Sequence, residues 1–159
     1  MVESSASVTQ LYTQAILQAA QRRNLQIPQD LLEQVRPLER VPLPVQDQLW
    51  EYYCHHSGEA LAGLELGLGI EIGHLDSAGM LLVSCDTLLE GLEALIDYAP
   101  VIGDGGVFEL THEGELLGIC YQPSYQLRVG ERVEAVMASL LKLSRWATGQ
   151  AFIPSELRL

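Results

Sequence analysis

Residues 130–148 constrain the fold of this 159-residue chain more than any other stretch, because apolar and small side chains recur there at helical spacing. The stripe consists of Val133, Val136, Met137, Leu140, Leu141, Ser144 and Ala147. Gly149 follows at the position where a glycine commonly ends a helix. A long helix with one apolar face requires a second layer of structure to cover that face.

A β-hairpin is predicted shortly before this helix. Residues 107–112 and 115–121 both alternate between apolar and polar side chains, which is typical of strands. The alternating faces carry Phe108, Leu110, His112, Leu117, Ile119 and Tyr121. Glu113 and Gly114 form the predicted two-residue turn between the strands. We therefore expect the main stripe of the long helix to face a sheet that contains this hairpin.

Further elements are predicted from periodicity and capping signals. Helices are expected at residues 8–23 (capped by Ser7 and Gln10), 28–35, 44–56, 59–68, and from the capping box of Thr87 and Glu90 to Pro100. Short strands are expected at residues 79–83, an apolar run between turn-forming residues, and at 153–159, where Leu157 and Leu159 alternate. The predicted class is α+β: N-terminal helices followed by a small, mainly antiparallel sheet with helices packed on it.

The charge distribution excludes some partners. Twenty-one acidic residues against nine basic ones give a net charge of -12, and residues 41–127 contain no Lys or Arg. Such a chain is not expected to bind a nucleic-acid backbone or an anionic membrane surface. An anionic ligand would have to rely on backbone N–H groups, neutral donors, Arg128 or Arg132, so a cationic or neutral ligand is electrostatically easier.

The three cysteines, Cys54, Cys85 and Cys120, indicate reduced thiols in a cytoplasmic protein, because their number is odd and no CxxC occurs. The apolar runs are too short for a transmembrane helix, and the N-terminus lacks the features of a signal peptide. The chain ends inside an apparent strand with no polar tail, so we expect a single domain, residues 1–159, from a longer protein.

No strong catalytic, metal or cofactor motif is present in the sequence. GxSxG, HExxH and the P-loop pattern do not occur, and the glycines of residues 67–73 exceed a dinucleotide fingerprint by one residue. Cys54, His55 and His56 resemble a metal cluster, but adjacent helical residues point about 100° apart and cannot converge on one ion. We therefore predict no metal and no cofactor.

The hairpin carries the residues most suited to a small-molecule site. Phe108, His112 and Tyr121 are expected on one face, and Arg128 follows shortly after. Aromatic rings with a few convergent polar groups are typical of small-molecule pockets. The alternative is that Phe108 and Tyr121 belong to the core and His112 lies at an exposed turn.

Two large residues of the long helix, Leu143 and Trp146, fall off its main stripe. Apolar side chains on a second helix face suggest a partner surface, most simply a second copy of the chain. A wider intramolecular core is the alternative.

Several short runs occur in the order and spacing of a known family. They are Arg40-Val41-Pro42-Leu43, Ser57-Gly58-Glu59, Gly63-Leu64-Glu65-Leu66-Gly67, Gly79-Met80, Ser84-Cys85-Asp86-Thr87-Leu88-Leu89-Glu90-Gly91-Leu92, Tyr98 and Phe152-Ile153-Pro154. From about Gln26 to Leu159, the chain resembles the N-terminal effector domain, usually labelled arabinose-binding, of one branch of the AraC family of transcription regulators. Met80 departs from the usual Tyr, and Asp97 from the usual basic residue; if either position lines the pocket, the ligand differs from that of its relatives.

The resemblance implies a module that binds a small effector, forms a homodimer, and contacts DNA only through a C-terminal pair of helix-turn-helix motifs outside these residues. Effector binding would favour one arrangement of the domain and reposition the DNA-binding halves. Under this hypothesis Phe108, His112, Tyr121 and Arg128 bind the effector, together with Tyr98 from the adjacent helix. Leu143 and Trp146 form the dimer surface.

Two other functions remain open at this point. A small hydrolase-like enzyme would use His74, Asp76 and Ser77, which requires Ser77 within hydrogen-bond reach of His74 or His112. A protein-interaction module without a ligand would lack a closed cavity and would expose a large apolar patch.

Overall fold

The computed structural model describes residues 6–149 and 152–158, and its elements confirm the α+β class. The α-helices are α1 (Gln10–Arg22), α2 (Gln29–Val35), α3 (Leu43–Ser57), α4 (Ala62–Gly69), α5 (Asp76–Ser84), α6 (Leu88–Ile102) and α7 (Val129–Thr148), with a 3-10 turn at Ile72–Leu75. The strands are β1 (Ser7–Thr9), β2 (Arg40–Pro42), β3 (Gly106–Glu113) and β4 (Leu116–Pro123). They form two separate antiparallel pairs, β1 with β2 and β3 with β4, instead of one small sheet.

Helix α7 confirms the predicted long helix, but the face it buries is rotated from the predicted stripe. Its buried residues are Arg132, Ala135, Ala138, Ser139, Leu143 and Ser144. Helix α4 crosses α7 so closely that a Cβ on Gly63 would lie 2.0 Å from the carbonyl oxygen of Glu131. A Cβ on Gly67 would lie 2.2 Å from the carbonyl oxygen of Ala135. Two glycines therefore permit the close approach of these helices.

The predicted hairpin is confirmed as β3 and β4, in a register that places Phe108 opposite Tyr121. The pairing continues as far as Glu113 and Leu116, so the turn lies at Gly114 and Glu115, one residue later than predicted. Gly114 has a φ of +63°, a left-handed conformation that glycine adopts without steric cost.

The N-terminal segment differs from the predicted helix start. Thr9, and not Ser7, is the N-cap of α1, because its side chain accepts a hydrogen bond from the backbone N–H of Tyr12 at 3.2 Å. Ser7 lies in β1, and Val8 forms an isolated bridge with Gly103 after α6. Strand β1 thus joins β2 to the loop that enters the hairpin.

The strand predicted at residues 79–83 is wrong, because these residues lie in α5. A short apolar run fits a buried strand and a buried helix equally well, and α5 buries Ala78, Gly79 and Leu82 at helical spacing. The strand predicted at residues 153–159 is also wrong for its described part, since residues 152–158 form no strand. Leu159 lies outside the described residues.

Helix α6 begins as predicted at a capping box. The backbone N–H of Thr87 donates to Glu90 at 3.1 Å, and the backbone N–H of Glu90 donates to the Thr87 hydroxyl at 3.2 Å. The sequence predicts that this helix ends at Pro100, but the helix continues through Pro100 to Ile102. The Gly103 N–H still donates to the carbonyl of Ala99 at 3.2 Å, so a donor is available beyond the proline.

The core lies where α1, α3 and α4 meet. Trp50, Tyr53, Ile16 and Leu66 are fully buried there, with the Trp50 and Tyr53 rings edge to face at 6.4 Å between centroids. Across the described residues, no single helix has the length and apolarity to span a membrane; α4 and residues 72–84 do so only as a pair bent by 93°.

Candidate functional site

A cavity of about 90 Å³ lies between the hairpin, α6 and α7. Leu95, Ala99 and Ile102 of α6 form one wall, and Val136 and Leu143 are part of the wall that α7 contributes. Side chains from β1, α1 and α3 complete the enclosure. The cavity is predominantly apolar and aromatic, which is typical of sites for small organic molecules.

The hairpin contributes two of the predicted binding residues to this cavity, Phe108 and Tyr121. Their rings pack across the strands with centroids 4.7 Å apart. The Tyr121 hydroxyl donates to the carbonyl of Gly105 at 3.1 Å, which fixes the ring at the cavity edge. Burial raises the pKa of Tyr121 above its ordinary value, so the phenol is neutral and able to donate.

Arg132 of α7 is the charged side chain of the cavity wall, and only 3% of its surface is exposed. It forms an ion pair with Asp47 of α3. Its guanidinium carbon lies 3.6 Å from the centroid of the Tyr125 ring and 5.8 Å from that of Trp50. Aromatic faces on this cation stabilise its charge where water cannot reach it.

Tyr125 lies in the segment between the hairpin and α7 and is also buried in the cavity wall. Its hydroxyl has no hydrogen-bond partner among residues 6–149 and 152–158. Burial raises the pKa of Tyr125, and the neighbouring Tyr121 raises it further. Burial also raises the pKa of Tyr12, so the cavity holds three neutral phenols.

The other predicted binding residues lie away from the cavity wall. Tyr98 is 47% exposed on α6 and does not line the cavity, whereas Leu95 and Ala99 of the same helix do. His112 is exposed near the far end of the hairpin, opposite Leu117.

Arg128 precedes α7 in a left-handed conformation and binds acidic residues instead of lining the cavity. Its Nε and Nη2 atoms donate to Glu51 at 2.9 and 2.8 Å, and Nη1 donates to Glu131 at 3.0 Å. The bond from Arg128 lowers the pKa of Glu51. These contacts join the start of α7 to α3.

The two residues predicted to form a dimer surface differ in their exposure to solvent. Leu143 is 2% exposed and lines the cavity, so its place is in the intramolecular core. The physical reason is the rotation of α7, which turns Leu143 inward with Ser139 and Arg132. Trp146 is 60% exposed.

Arg132 and Tyr125 are cavity residues outside the predicted binding set, although the sequence analysis named Arg132 as one of two arginines on which an anionic ligand could rely. The signal for Arg132 was its helical spacing from Val136, Ser139 and Leu143, which places it on one face with them. This helical spacing is hard to recognise in the sequence, because the predicted apolar stripe next to this face of α7 is wider and more continuous.

A comparison with models of protein families identifies the family of this chain. The family model of the N-terminal arabinose-binding domain of AraC transcription regulators matches residues 15–159. The chain belongs to this family. No curated protein matches the chain.

The AraC arabinose-binding domain is a regulatory, ligand-sensing domain family and not an enzyme family. The groups considered for hydrolysis are engaged elsewhere. His74 accepts a hydrogen bond from the backbone N–H of Glu71 at 2.9 Å, and Asp76 accepts one from the N–H of Ser77 at 2.7 Å. No hydrogen bond joins Ser77 to His74 or His112 in the described part of the chain, so the geometry required for a nucleophile and its base is not met. Residues 6–149 and 152–158 contain no cluster of three or more potential metal ligands.

A second concavity of this AraC-family domain, about 460 Å³, lies on the opposite face of α7. Met137 and Leu141 of α7, Leu88 and Leu92 of α6, and residues 152–157 line it. Leu140 of α7 borders both the cavity and this groove. Helix α7 is therefore a partition between an internal cavity and the C-terminal segment.

Proposed function

We propose that the cavity is the effector site of this regulatory domain. The observation that carries the proposal is a predominantly apolar and aromatic cavity with one buried arginine, in a chain of a family that senses small molecules. The proposal retains Phe108 and Tyr121 as binding residues. It adds Arg132 and Tyr125 in place of Tyr98, His112 and Arg128, whose side chains do not line the cavity.

The effector transmits its effect through α7. A ligand that contacts Val136, Ser139 or Leu143 acts on the inner face of this helix, and the C-terminal segment lies against the outer face. Gly149 caps the C-terminus of the helix, and its backbone N–H donates to the carbonyl of Trp146. Nε of Arg145 donates to the carbonyl of Phe152 at 2.7 Å. A shift of α7 on binding therefore moves the segment that follows it.

The domain contacts DNA only through a separate basic part of the regulator. Its own net charge of -12 opposes association with a phosphate backbone. It associates as a homodimer through the surface around Trp146, which is exposed although it is large and apolar. A dimer of sensing domains would hold two DNA-binding parts at a defined spacing.

Ligand binding to the purified domain tests this function. Thermal unfolding is measured with separate panels of sugars, carboxylates, amino acids and polyamines, because a ligand of the folded state raises the midpoint of unfolding. Ala99→Leu fills the cavity, and Ala147→Leu makes the same change on the exposed part of α7.

We expect at least one panel to stabilise the wild-type domain and the Ala147→Leu variant, and to leave Ala99→Leu unaffected. Stabilisation that survives Ala99→Leu would place the ligand elsewhere. Failure of every panel with the wild-type domain would remove the support for a sensing function.

A further inference from the structure

The hydrogen-bonding capacity of Arg132 is only partly used within the protein. A guanidinium has five N–H groups, arranged as a planar fork. Nη1 donates to Asp47 and to the carbonyl of Leu127 at 3.4 Å. Nε and Nη2 donate to no residue in 6–149 or 152–158. Asp47 thus binds Nη1 of a side chain that lines the cavity, and the described residues leave Nε and Nη2 without an acceptor.

The Tyr125 hydroxyl is a second group of the cavity wall that lacks a partner among the described residues. Its ring lies against the guanidinium of Arg132, and its oxygen is buried without a partner among the described residues. A buried hydroxyl without a hydrogen bond is costly, and such groups are rare in folded proteins. Within residues 6–149 and 152–158, Nε and Nη2 of Arg132 and the hydroxyl of Tyr125 therefore lack acceptors in the same cavity wall, where Tyr121 is the neighbour that acts on Tyr125.

We propose that the effector is a small monocarboxylate with an apolar body. Its two oxygens accept hydrogen bonds from Nε and Nη2 of Arg132, and the Tyr125 hydroxyl donates to one of them. The apolar body lies against Leu95, Ala99 and Leu143. This assignment rests on the proposed function, because it names the class of ligand for the same cavity.

The charges of the cavity favour an anion over a cation, contrary to the expectation from the overall charge. No Asp or Glu among the described residues lines the cavity; the ionised side chain in its wall is Arg132, whose Nη1 is paired with Asp47 outside the lining and whose Nε and Nη2 are not. The acidic residues that give the net charge of -12 act mainly through solvent, where salt screens them within about 8 Å. A carboxylate–guanidinium contact inside the cavity is screened far less.

The size of the cavity limits the ligand to a short molecule. Its volume of about 90 Å³ compares with roughly 150 Å³ for an engineered protein cavity that binds benzene. A carboxylate with a short aliphatic chain matches this space. Sugars and long fatty acids would require the walls to move apart.

Isothermal titration of the purified domain with three isosteric probes tests the assignment. Butanoate, butanamide and n-butylamine share one chain length and differ in the charge and hydrogen bonding of the head group. We expect butanoate to bind at least about tenfold more tightly than butanamide, because a hydrogen bond to a charged partner is stronger than a neutral one. We expect no detectable binding of n-butylamine.

Conservative variants then locate the contact. Arg132→Lys keeps the positive charge beside Asp47 but loses the planar fork, so butanoate affinity should fall by about tenfold. Tyr125→Phe should weaken butanoate binding several-fold and leave butanamide binding less affected. Arg36→Lys and Tyr98→Phe, at exposed positions outside the cavity, should leave both affinities unchanged.

Three results would overturn the carboxylate assignment. They are equal or tighter binding of butanamide or n-butylamine, unchanged butanoate affinity in both cavity variants, and butanoate binding that survives Ala99→Leu. If Arg132→Lys does not fold, the three-probe comparison and Tyr125→Phe still decide. A ligand of another class that is blocked by Ala99→Leu would refute the assignment and leave the effector site intact, whereas no binding from any panel would remove both.

Discussion

At the scale of single residues, the cavity contains polar groups that stability alone does not explain. Arg132 is buried and its partner Asp47 is partly exposed, and burying one member of an ion pair is often no more stabilising than apolar side chains of the same volume. The aromatic faces of Tyr125 and Trp50 offset part of the cost of burying the guanidinium. The arginine therefore costs little once paired, and in the proposed site its remaining donors select the ligand.

The two hydroxyls beside Arg132 should contribute differently to stability. Tyr121→Phe removes a hydrogen bond to Gly105 and should lower the free energy of unfolding by about 0.5–1.5 kcal/mol. Tyr125→Phe removes a hydroxyl that has no partner in the described chain, so it should leave this free energy unchanged or raise it slightly. Urea unfolding of the two variants measures both effects. An equal loss in Tyr125→Phe would mean that its hydroxyl is already bonded within the folded chain.

His74 should make the domain less stable as the pH falls. Burial lowers the pKa of His74 below its ordinary value of 6.5, the cations of Arg22 and Lys142 lower it further, and Glu71 opposes them. The unfolded chain therefore takes up the proton first, and the free energy of unfolding decreases as the pH falls through about 6.5. Protonation of Nδ1 would also break the bond from the Glu71 N–H.

His74→Asn keeps an acceptor for the Glu71 N–H but cannot take up a proton in this range. Urea unfolding between about pH 7 and pH 5 should show a smaller loss of stability for this variant than for the wild-type domain. Parallel curves for the two proteins would show that His74 does not contribute to the pH dependence.

Phe108 and Tyr121 could be predicted as cavity residues because strand alternation determines which side chains share a face. Arg132 could not, since an arginine in a long helix of an acidic chain normally lies in solvent. Its burial depends on Asp47 and on two aromatic rings from other elements. The helical spacing of Arg132 indicates the helix face on which it lies, but these tertiary partners leave no local signal in the sequence.

At the scale of elements, prediction succeeded where a local pattern admits one structure. The hairpin, α7 and the capping box of α6 are of this kind, and all three are confirmed. The apolar run at residues 79–83 is compatible with both a strand and a helix. In the helix that forms, Gly79 lies so close to Ile72 that there is no room for a side chain. The rotation of α7 likewise depends on its crossing with α4, which no single segment reveals.

The crossing of α4 and α7 gives a prediction at this scale. Gly67→Ala would place a Cβ 2.2 Å from the Ala135 carbonyl, so the helices must separate, and the free energy of unfolding should fall by about 2 kcal/mol or more. Gly130→Ala is the matched control in α7, because a Cβ there contacts nothing and alanine favours a helix. It should leave stability unchanged or raise it by up to about 1 kcal/mol. A small effect of Gly67→Ala on urea unfolding would show that this crossing tolerates a wider spacing.

At the scale of the whole molecule, α7 connects the two concavities. Its inner face contributes Arg132 and Leu143 to the cavity, and its outer face contributes Met137 and Leu141 to the groove along residues 152–157. A packed helix responds to a ligand by moving as a unit, because its side chains have few alternative arrangements. The same helix carries Trp146 near its end, so the proposed effector site and the proposed dimer contact lie on one element.

The dimer contact is the last prediction, and it belongs to the assembled protein. Sedimentation at concentrations on the order of tens of micromolar should show a dimer of the wild-type domain, because a large exposed indole gains free energy when a second copy covers it. Trp146→Ser should shift the equilibrium towards monomer. Met80→Ser is the matched control, since Met80 is also 60% exposed and lies on α5. A monomeric wild-type domain would refute the dimer, and a dimer that withstands Trp146→Ser but dissociates with Met80→Ser would place the contact on α5.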